Sequence, residues 1–252
     1  MNDISAYLNR INYRGSTEPT LETLRGIHRA HLLTVPFENL DIHRNKPIVL
    51  NEAALFEKIV VNRRGGYCYE LNGLLASLLR EMGFDVTMFS SNVIHGDISA
   101  EIDHLTLLIQ LDDRWIVDVG FGDSSRLPLR LEVGGEQYGV GQRYRFTQAD
   151  GRWILWSGAE NNSWYDEYSF DIAMTPLTLP DFENANRYYQ TAPKSWFVQG
   201  RICSRAMEDG RISLTGDMLI VTRNGQREET PIDGEQAFVR ALNEHFGIRI
   251  EK

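Results

Sequence analysis

Cys68 is the side chain in this sequence whose type and position most directly suggest chemistry. The run Arg63-Arg64-Gly65-Gly66-Tyr67-Cys68 leads into the most regular helical pattern of the chain, with Leu71, Leu74, Leu75, Leu78, Leu79 and Met82 recurring on one stripe. The cysteine therefore falls in or just before a first helical turn. Unpaired backbone N–H groups and the positive end of the helix dipole favour a thiolate there. Gly65-Gly66 let the backbone turn sharply and leave room for a reactant to reach the sulfur. A free cysteine is also among the most buried residue types and packs as a small hydrophobe. The local pattern is compatible with either role.

A thiol nucleophile needs a base to take its proton and a third group to orient that base. Six histidines are available. His28 and His31 lie on a helix as surface or interface residues, His43 and His95 in loops, and His245 in the last helix. His104 differs because it begins an apolar strand, His104-Leu105-Thr106-Leu107-Leu108-Ile109. Asp118 is a carboxylate within the apolar run Trp115-Ile116-Val117-Asp118-Val119-Gly120-Phe121, where a charge is costly unless paired. It either caps backbone N–H groups near Gly120 and Gly122 or holds a histidine. A hairpin with a three-residue loop sets Asp118 opposite Leu108, which leaves His104 on the same face but about 13 Å away at ~3.3 Å per residue. A bulge, a strong twist or another pairing would be needed for contact.

The elements that must position these residues read in blocks. Asp3, Thr20 and Asn51 are N-cap signals for three short helices, and Val35-Pro36 ends the second. Residues 37–43 follow no period. Gly83 stops the Cys68 helix. Beyond it the period changes to two, with strands expected at 84–89, 104–111, 115–121, 144–147, 153–156 and 164–172, a pattern of barrels and sandwiches. A short helix is expected near Asp181, followed by strands at 196–205, 211–214, 218–222 and 226–230. Asn224-Gly225 marks the last hairpin, and a closing helix spans 235–246. Segregated blocks imply an α+β protein, divided here at 1–84, 85–190 and 191–252.

The whole-chain properties limit the partners. The chain has 252 residues, 42% hydrophobic and 24% charged, an ordinary globular composition with material for large cores. A net charge of −9 argues against a nucleic-acid partner. No apolar run approaches the ~20 residues that cross a bilayer, and Met1-Asn2-Asp3-Ile4 does not open a secretory signal. Two cysteines make no disulfide framework, so a reducing, cytoplasmic location is expected.

Three separated motifs resemble the arylamine N-acetyltransferase family: Val35-Pro36-Phe37-Glu38-Asn39-Leu40, Arg64-Gly65-Gly66-Tyr67-Cys68-Tyr69-Glu70-Leu71-Asn72, and Val117-Asp118-Val119-Gly120-Phe121-Gly122. The resemblance extends through Thr191-Ala192-Pro193-Lys194-Ser195-Trp196-Phe197 to Phe246-Gly247-Ile248 and so covers nearly the whole chain. It implies an N-terminal helical bundle, a central β-barrel and a C-terminal α/β lid, with a core similar to cysteine proteases and transglutaminases. It implies a Cys68-His104-Asp118 triad and ping-pong transfer of an acetyl group from acetyl-CoA, through an acetyl-cysteine, to an arylamine or hydrazine. No metal is implied. By the same resemblance Phe37, Tyr67, Phe121 and Phe197 wall the substrate pocket, Gly122 and Ser195 meet CoA, and Glu38 with Arg63 forms a structural ion pair. Ser90-Ser91-Asn92-Val93 stands where many members carry an arginine, and the lid is short. An amide synthase using another acyl thioester, a transglutaminase-like cysteine hydrolase and a non-catalytic binding module are the competing readings.

Overall fold

A computed structural model describes residues 3–94, 103–123, 125–158, 163–171 and 173–250. The apolar spacing of the first part folds as helices α1 (Ile4–Arg10), α2 (Leu21–Thr34), α3 (Leu40–His43), α4 (Glu52–Phe56) and α5 (Cys68–Glu81). Asp3, Thr20 and Asn51 each accept a backbone N–H in the first turn of α1, α2 and α4. Strand β1 (Phe37–Glu38) separates α2 from α3. α4 runs on as one π-helical turn through Val61. From Cys68 to Leu79 every residue of α5 except Ser77 is buried. Its leucines pack on Leu105, Leu107, Ile109 and Val117 of the following sheet, in one core shared with α1, α2 and α4.

That sheet contains β2 (Asp85–Val93), β3 (His104–Gln110), β4 (Arg114–Val117), β5 (Leu129–Arg130), β6 (Gln137–Tyr138), β7 (Arg143–Ala149), β8 (Arg152–Gly158) and β9 (Trp164–Asp171). It is antiparallel throughout, in the order β5-β4-β3-β2-β9-β8-β7-β6. Its two edges approach one another and nearly close a barrel: Gly134 N–H donates to the Phe146 carbonyl at 3.2 Å, and Gln137 Nε2 donates to the Arg130 carbonyl at 2.8 Å. Phe89, Phe146, Trp153, Leu155 and Phe170 fill the interior.

The chain continues through a 3₁₀ turn, Leu179–Phe182, into α6 (Glu183–Thr191) and α7 (Trp196–Gln199). β10 (Ile202–Met207), β11 (Gly210–Thr215), β12 (Met218–Arg223) and β13 (Gln226–Pro231) follow, then α8 (Gly234–Ala241). Asn224 and Gly225 both take positive φ, 48° and 77°, as the hairpin signal predicts.

Two expectations are corrected and one irregular stretch is explained. The strand expected at 196–205 begins as helix α7, because Asn39 Nδ2 takes the carbonyls of Phe197 and Gly200 at 3.0 and 2.7 Å and bends the chain there. Residues 37–43 show no period because they split between β1 and α3; β1 joins the second sheet at its edge, Phe37 opposite Ser204 and Glu38 opposite Cys203. The strand expected at 115–121 ends at Val117. Among the described residues no helix is long and apolar enough to cross a membrane.

Candidate active site

Cys68 is the first residue of α5, and Glu70 Oε2 accepts the Tyr67 N–H at 3.1 Å just ahead of it. The two glycines do different work from that expected. Neither has positive φ; the residue that does is Arg63, at 52°. A Cβ on Gly65 would lie 1.9 Å from the Pro36 carbonyl oxygen, and one on Gly66 would lie 2.7 Å from Glu70 Cβ. The glycines let the Cys68 loop lie directly against β1, where Glu38 N–H donates to the Gly66 carbonyl at 2.8 Å.

His104 opens β3, and the hairpin register brings Asp118 to it. Gln110 pairs with Arg114 and Leu107 with Val117, so the loop is 111–113 and the ladder, if extended, would set Asp118 opposite Thr106. That is two residues from His104 and on the same face, instead of the four-residue separation of the expected register. Asp118 Oδ2 meets His104 Nε2 at 2.7 Å. Its Oδ1 accepts from Asn72 Nδ2 and from Gly120 N–H, both at 2.9 Å. Both sequence readings of Asp118 therefore hold: it caps a local N–H and it holds a histidine.

With Nε2 directed to Asp118, His104 keeps Nδ1 for the Cys68 side, and the thiol is a further hydrogen-bond partner of the ring. Burial works against a charged imidazole. The Asp118 carboxylate and the two hydrogen bonds outweigh it, so the ring titrates well above the usual histidine range. Burial would raise the Asp118 carboxyl, but His104, Asn72 and Gly120 hold it below the usual carboxylate range. The segment after Asp118 crosses the start of α5 so closely that a Cβ on Gly120 would lie 2.5 Å from Cys68 Cα.

Asn72, one turn after Cys68, binds this crossing together. Besides Asp118 it donates to the Leu105 carbonyl at 2.7 Å and accepts Val119 N–H at 2.9 Å. Sequence reasoning passed over it, although a polar residue at i+4 from the cysteine, next to the leucine stripe, is a visible signal. His28 and His31, expected as surface or interface residues, are buried because α2 packs both inward. His28 Nε2 lies 3.2 Å from the Asp118 carbonyl oxygen; His31 Nδ1 meets the Tyr7 hydroxyl at 2.8 Å, and burial pushes its ring down to about 3. His43 ends α3, His245 lies in the π turn after α8, and His95 lies outside the described residues.

A cleft of about 590 Å³ opens above the sulfur. Phe37, Phe121, Gly122 and Phe197 line it with Cys68 and His104. Tyr67 and Ser195 stand behind this wall. Tyr67 is fully buried, donates its hydroxyl to Asn186, and presents its ring edge to Phe197 with centroids 5.5 Å apart. Ser195 is also fully buried and donates to the Tyr189 carbonyl at 2.9 Å. Trp196, Tyr189, Asp103 and Arg211 line the cleft without having been singled out.

A layer of buried charge supports the floor. Glu38 pairs with Arg64 at 2.7 Å, not with Arg63, because the positive φ at Arg63 turns Arg64 inward. Arg64 also meets Asp41 at 3.1 Å, and Lys58 bridges Asp41 at 3.0 Å to Glu70 at 2.7 Å. Arg44 adds a longer contact to Asp41 at 3.8 Å, so Glu38, Asp41 and Glu70 are joined through Arg64, Lys58 and Arg44. Glu70 is fully buried and also lies in the field of Glu38; burial outweighs Lys58 and pushes its carboxyl up to about 7.

The sequence profile of the N-acetyltransferase family matches residues 20–252. The chain is 36% identical to the arylamine N-acetyltransferase of Mycobacterium tuberculosis H37Rv, over 98% of this chain and 90% of that protein. It is 33% identical to the arylamine N-acetyltransferase / N-hydroxyarylamine O-acetyltransferase of Salmonella typhimurium, over 98% and 89%. The solved structure of arylamine N-acetyltransferase from Salmonella typhimurium superposes with a TM-score of 0.93 at 32% identity, covering 100% of this chain and 93% of that one. The Mycobacterium marinum enzyme in complex with CoA superposes with a TM-score of 0.90 at 33% identity, covering 98% and 93%.

Proposed function

The chain belongs to the arylamine N-acetyltransferase family, and from that premise we propose that Cys68 carries the acetyl group between acetyl-CoA and an arylamine or arylhydrazine. The observation that carries this reading is the unbroken contact from Cys68 through His104 to Asp118 at the floor of an apolar-walled cleft.

In the first half, Cys68 gives its proton to His104 Nδ1 and the sulfur attacks the thioester carbonyl. The tetrahedral oxyanion forms beside the first N–H groups of α5, which have no carbonyl within their own helix to bind. The C–S bond to CoA breaks, and the leaving thiolate takes the proton back from His104. One thioester replaces another, so little free energy is lost on the enzyme. In the second half, the amine nitrogen attacks the acetyl-cysteine, His104 accepts the amine proton, and the C–S bond to Cys68 breaks to give the amide. Asp118 holds the ring orientation and stabilises its charged form throughout. Phe37, Phe121 and Phe197 offer flat faces to an aromatic amine. Gly122 is our candidate for contact with the donor. Ser195 acts indirectly, by anchoring α7 and so Phe197. A core similar to that of cysteine proteases, a lid formed by the C-terminal part and a cytoplasmic location belong to the same reading.

Intact-mass measurement after incubation with acetyl-CoA tests it. The expected result is one acetyl adduct in the native protein, lost on adding an arylamine and never formed in Cys68→Ala. A native protein that takes up no acetyl group would overturn the proposal, and turnover of amides without CoA would favour a hydrolase.

A further inference from the structure

Asp103 stands directly before the proposed base His104 and lines the reaction cleft, although only 6% of its surface is exposed. Its Oδ1 accepts from the Tyr189 hydroxyl and its Oδ2 from Val93 N–H at 2.8 Å, while its carbonyl accepts from the Tyr69 hydroxyl. These contacts tie the start of β3 to the end of β2, to α6 and to the first turn of α5. Both carboxylate oxygens act as acceptors, the arrangement of an ionised group. None of the ion pairs among the described residues includes Asp103. The segment 95–102 has no lysine or arginine in its sequence. A carboxylate buried without a cation is costly to keep charged. Its contacts do not call for the charge: an amide at the same place accepts the Val93 N–H with its oxygen and donates to the Tyr189 oxygen with its nitrogen. Position alone therefore does not account for an aspartate here.

The rest of the cleft wall does not cancel this charge. Asp123, Asp166 and Glu167 have the same sign, and Arg211, the one guanidinium among the described lining residues, is held by Asp123 at 2.9 Å. The faces offered to an aromatic ring, those of Phe37, Phe121 and Phe197, are uncharged. A charged substituent on such a ring thus meets a field that low-dielectric walls screen poorly.

We propose that Asp103 is a specificity-determining residue for the acceptor: its fixed negative charge favours aryl amines and hydrazines that carry a cationic substituent and disfavours those that carry a carboxylate or sulfonate. This rests on the acetyl-cysteine reading above, in whose second half the acceptor occupies the cleft. Ring packing on the phenylalanines does not sort acceptors by the sign of a substituent, so that selection falls to Asp103.

The test isolates that half. The native protein, Asp103→Asn and Asp103→Ser are acetylated with acetyl-CoA and freed of CoA by gel filtration. Each is mixed with 4-aminobenzoate, neutral 4-aminobenzamide or (4-aminobenzyl)trimethylammonium, and loss of the acetyl adduct is followed by mass. The rate of each charged acceptor is divided by that of 4-aminobenzamide, so intrinsic nucleophilicity cancels between variant and native protein. Asp103→Asn is expected to raise the ratio for 4-aminobenzoate about fivefold and to lower that for the cation by a similar factor, with Asp103→Ser moving both the same way. A residue that only shapes the start of β3 would change all three rates together, and unchanged ratios in both variants overturn the proposal. Alkylation of Cys68 in the unacetylated protein gives a reading independent of acetyl transfer. The rate of iodoacetate relative to iodoacetamide is expected to rise about fivefold in Asp103→Asn, and no rise also overturns the proposal. Absence of any acetyl adduct in the native protein is a different failure: it overturns the acetyl-cysteine reading and the acceptor preference with it, while the alkylation ratio still reports the charge of Asp103 in the cleft.

Discussion

Asn72 holds Asp118, Val119 and Leu105 in one grip, so it sets where the Asp118 carboxylate points as much as the strand does. Removing its amide leaves one carboxylate oxygen short of a donor and the Val119 N–H without an acceptor, at a cost of about 1–3 kcal/mol for each group left buried and unpaired. Asn72→Ala is therefore expected to slow acetylation of Cys68 about 10²-fold, the penalty of a small misplacement at a reacting centre, and Asp118→Asn to slow it more while remaining soluble. Stopped acetylation time courses, normalised to the folded fraction from urea melts, measure this. A rate loss no larger than the loss of folded protein would leave Asn72 a structural role only. Cys68 and Asp118 stood out in two of the motifs, and His104 stood out as the histidine that opens an apolar strand. The contact between His104 and Asp118 was not, because it depends on a register two residues away from the one that alternation suggested. Asn72 stood in full view within a motif, but its partners lie in a distant segment.

At the level of elements, α5 joins the nucleophile to the charged layer. Glu70 caps its first turn and pairs with Lys58, yet its carboxyl is pushed up to about 7, because burial outweighs the pull of Lys58 and Glu38 adds a like charge. Its folded value lies above the ordinary value of 4.5, so between those limits the folded chain holds a proton that the unfolded chain has released. The sign is then fixed: this group makes stability fall as pH rises from about 4.5 to about 7, by roughly 3 kcal/mol in all. Glu70→Gln is expected to abolish that fall, read as the difference between urea midpoints at pH 5 and pH 7.5 in the two proteins. An equal fall in both would mean that Glu70 is ionised throughout. The helix itself was plain from its leucine stripe. The pairing of Glu38 with Arg64 was not, since neighbouring arginines look alike until a positive φ at Arg63 decides which one turns inward.

Across the whole molecule, contacts cross the chain-order cuts at 84 and 190. β1, from the helical part, is the edge strand of the C-terminal sheet, and Asn39 next to it exchanges hydrogen bonds with Phe197, Gly200 and Ile202. Ala185 and Tyr189 of α6 pack into the core built on α5. Such interlocking predicts one cooperative unfolding transition, with tryptophan fluorescence and far-ultraviolet circular dichroism coincident in urea. Separate midpoints would show that the parts melt independently. The succession of helices, barrel strands and a final ladder was readable from period and turn residues. The two-residue β1 was not, because a strand of that length carries no period and exists only through its partner.

The close crossing of Gly120 over Cys68 also orders events in time. A chain made from its N-terminus exposes the thiol well before the ribosome reaches Asp118, and until that segment is laid across α5 the sulfur has no imidazole held beside it. The nascent protein is thus a poor nucleophile among the cell's many thioesters. Under the proposed mechanism, competence to be acylated requires this crossing, so acetyl uptake by Cys68 would report that the segment after Asp118 has been laid across α5.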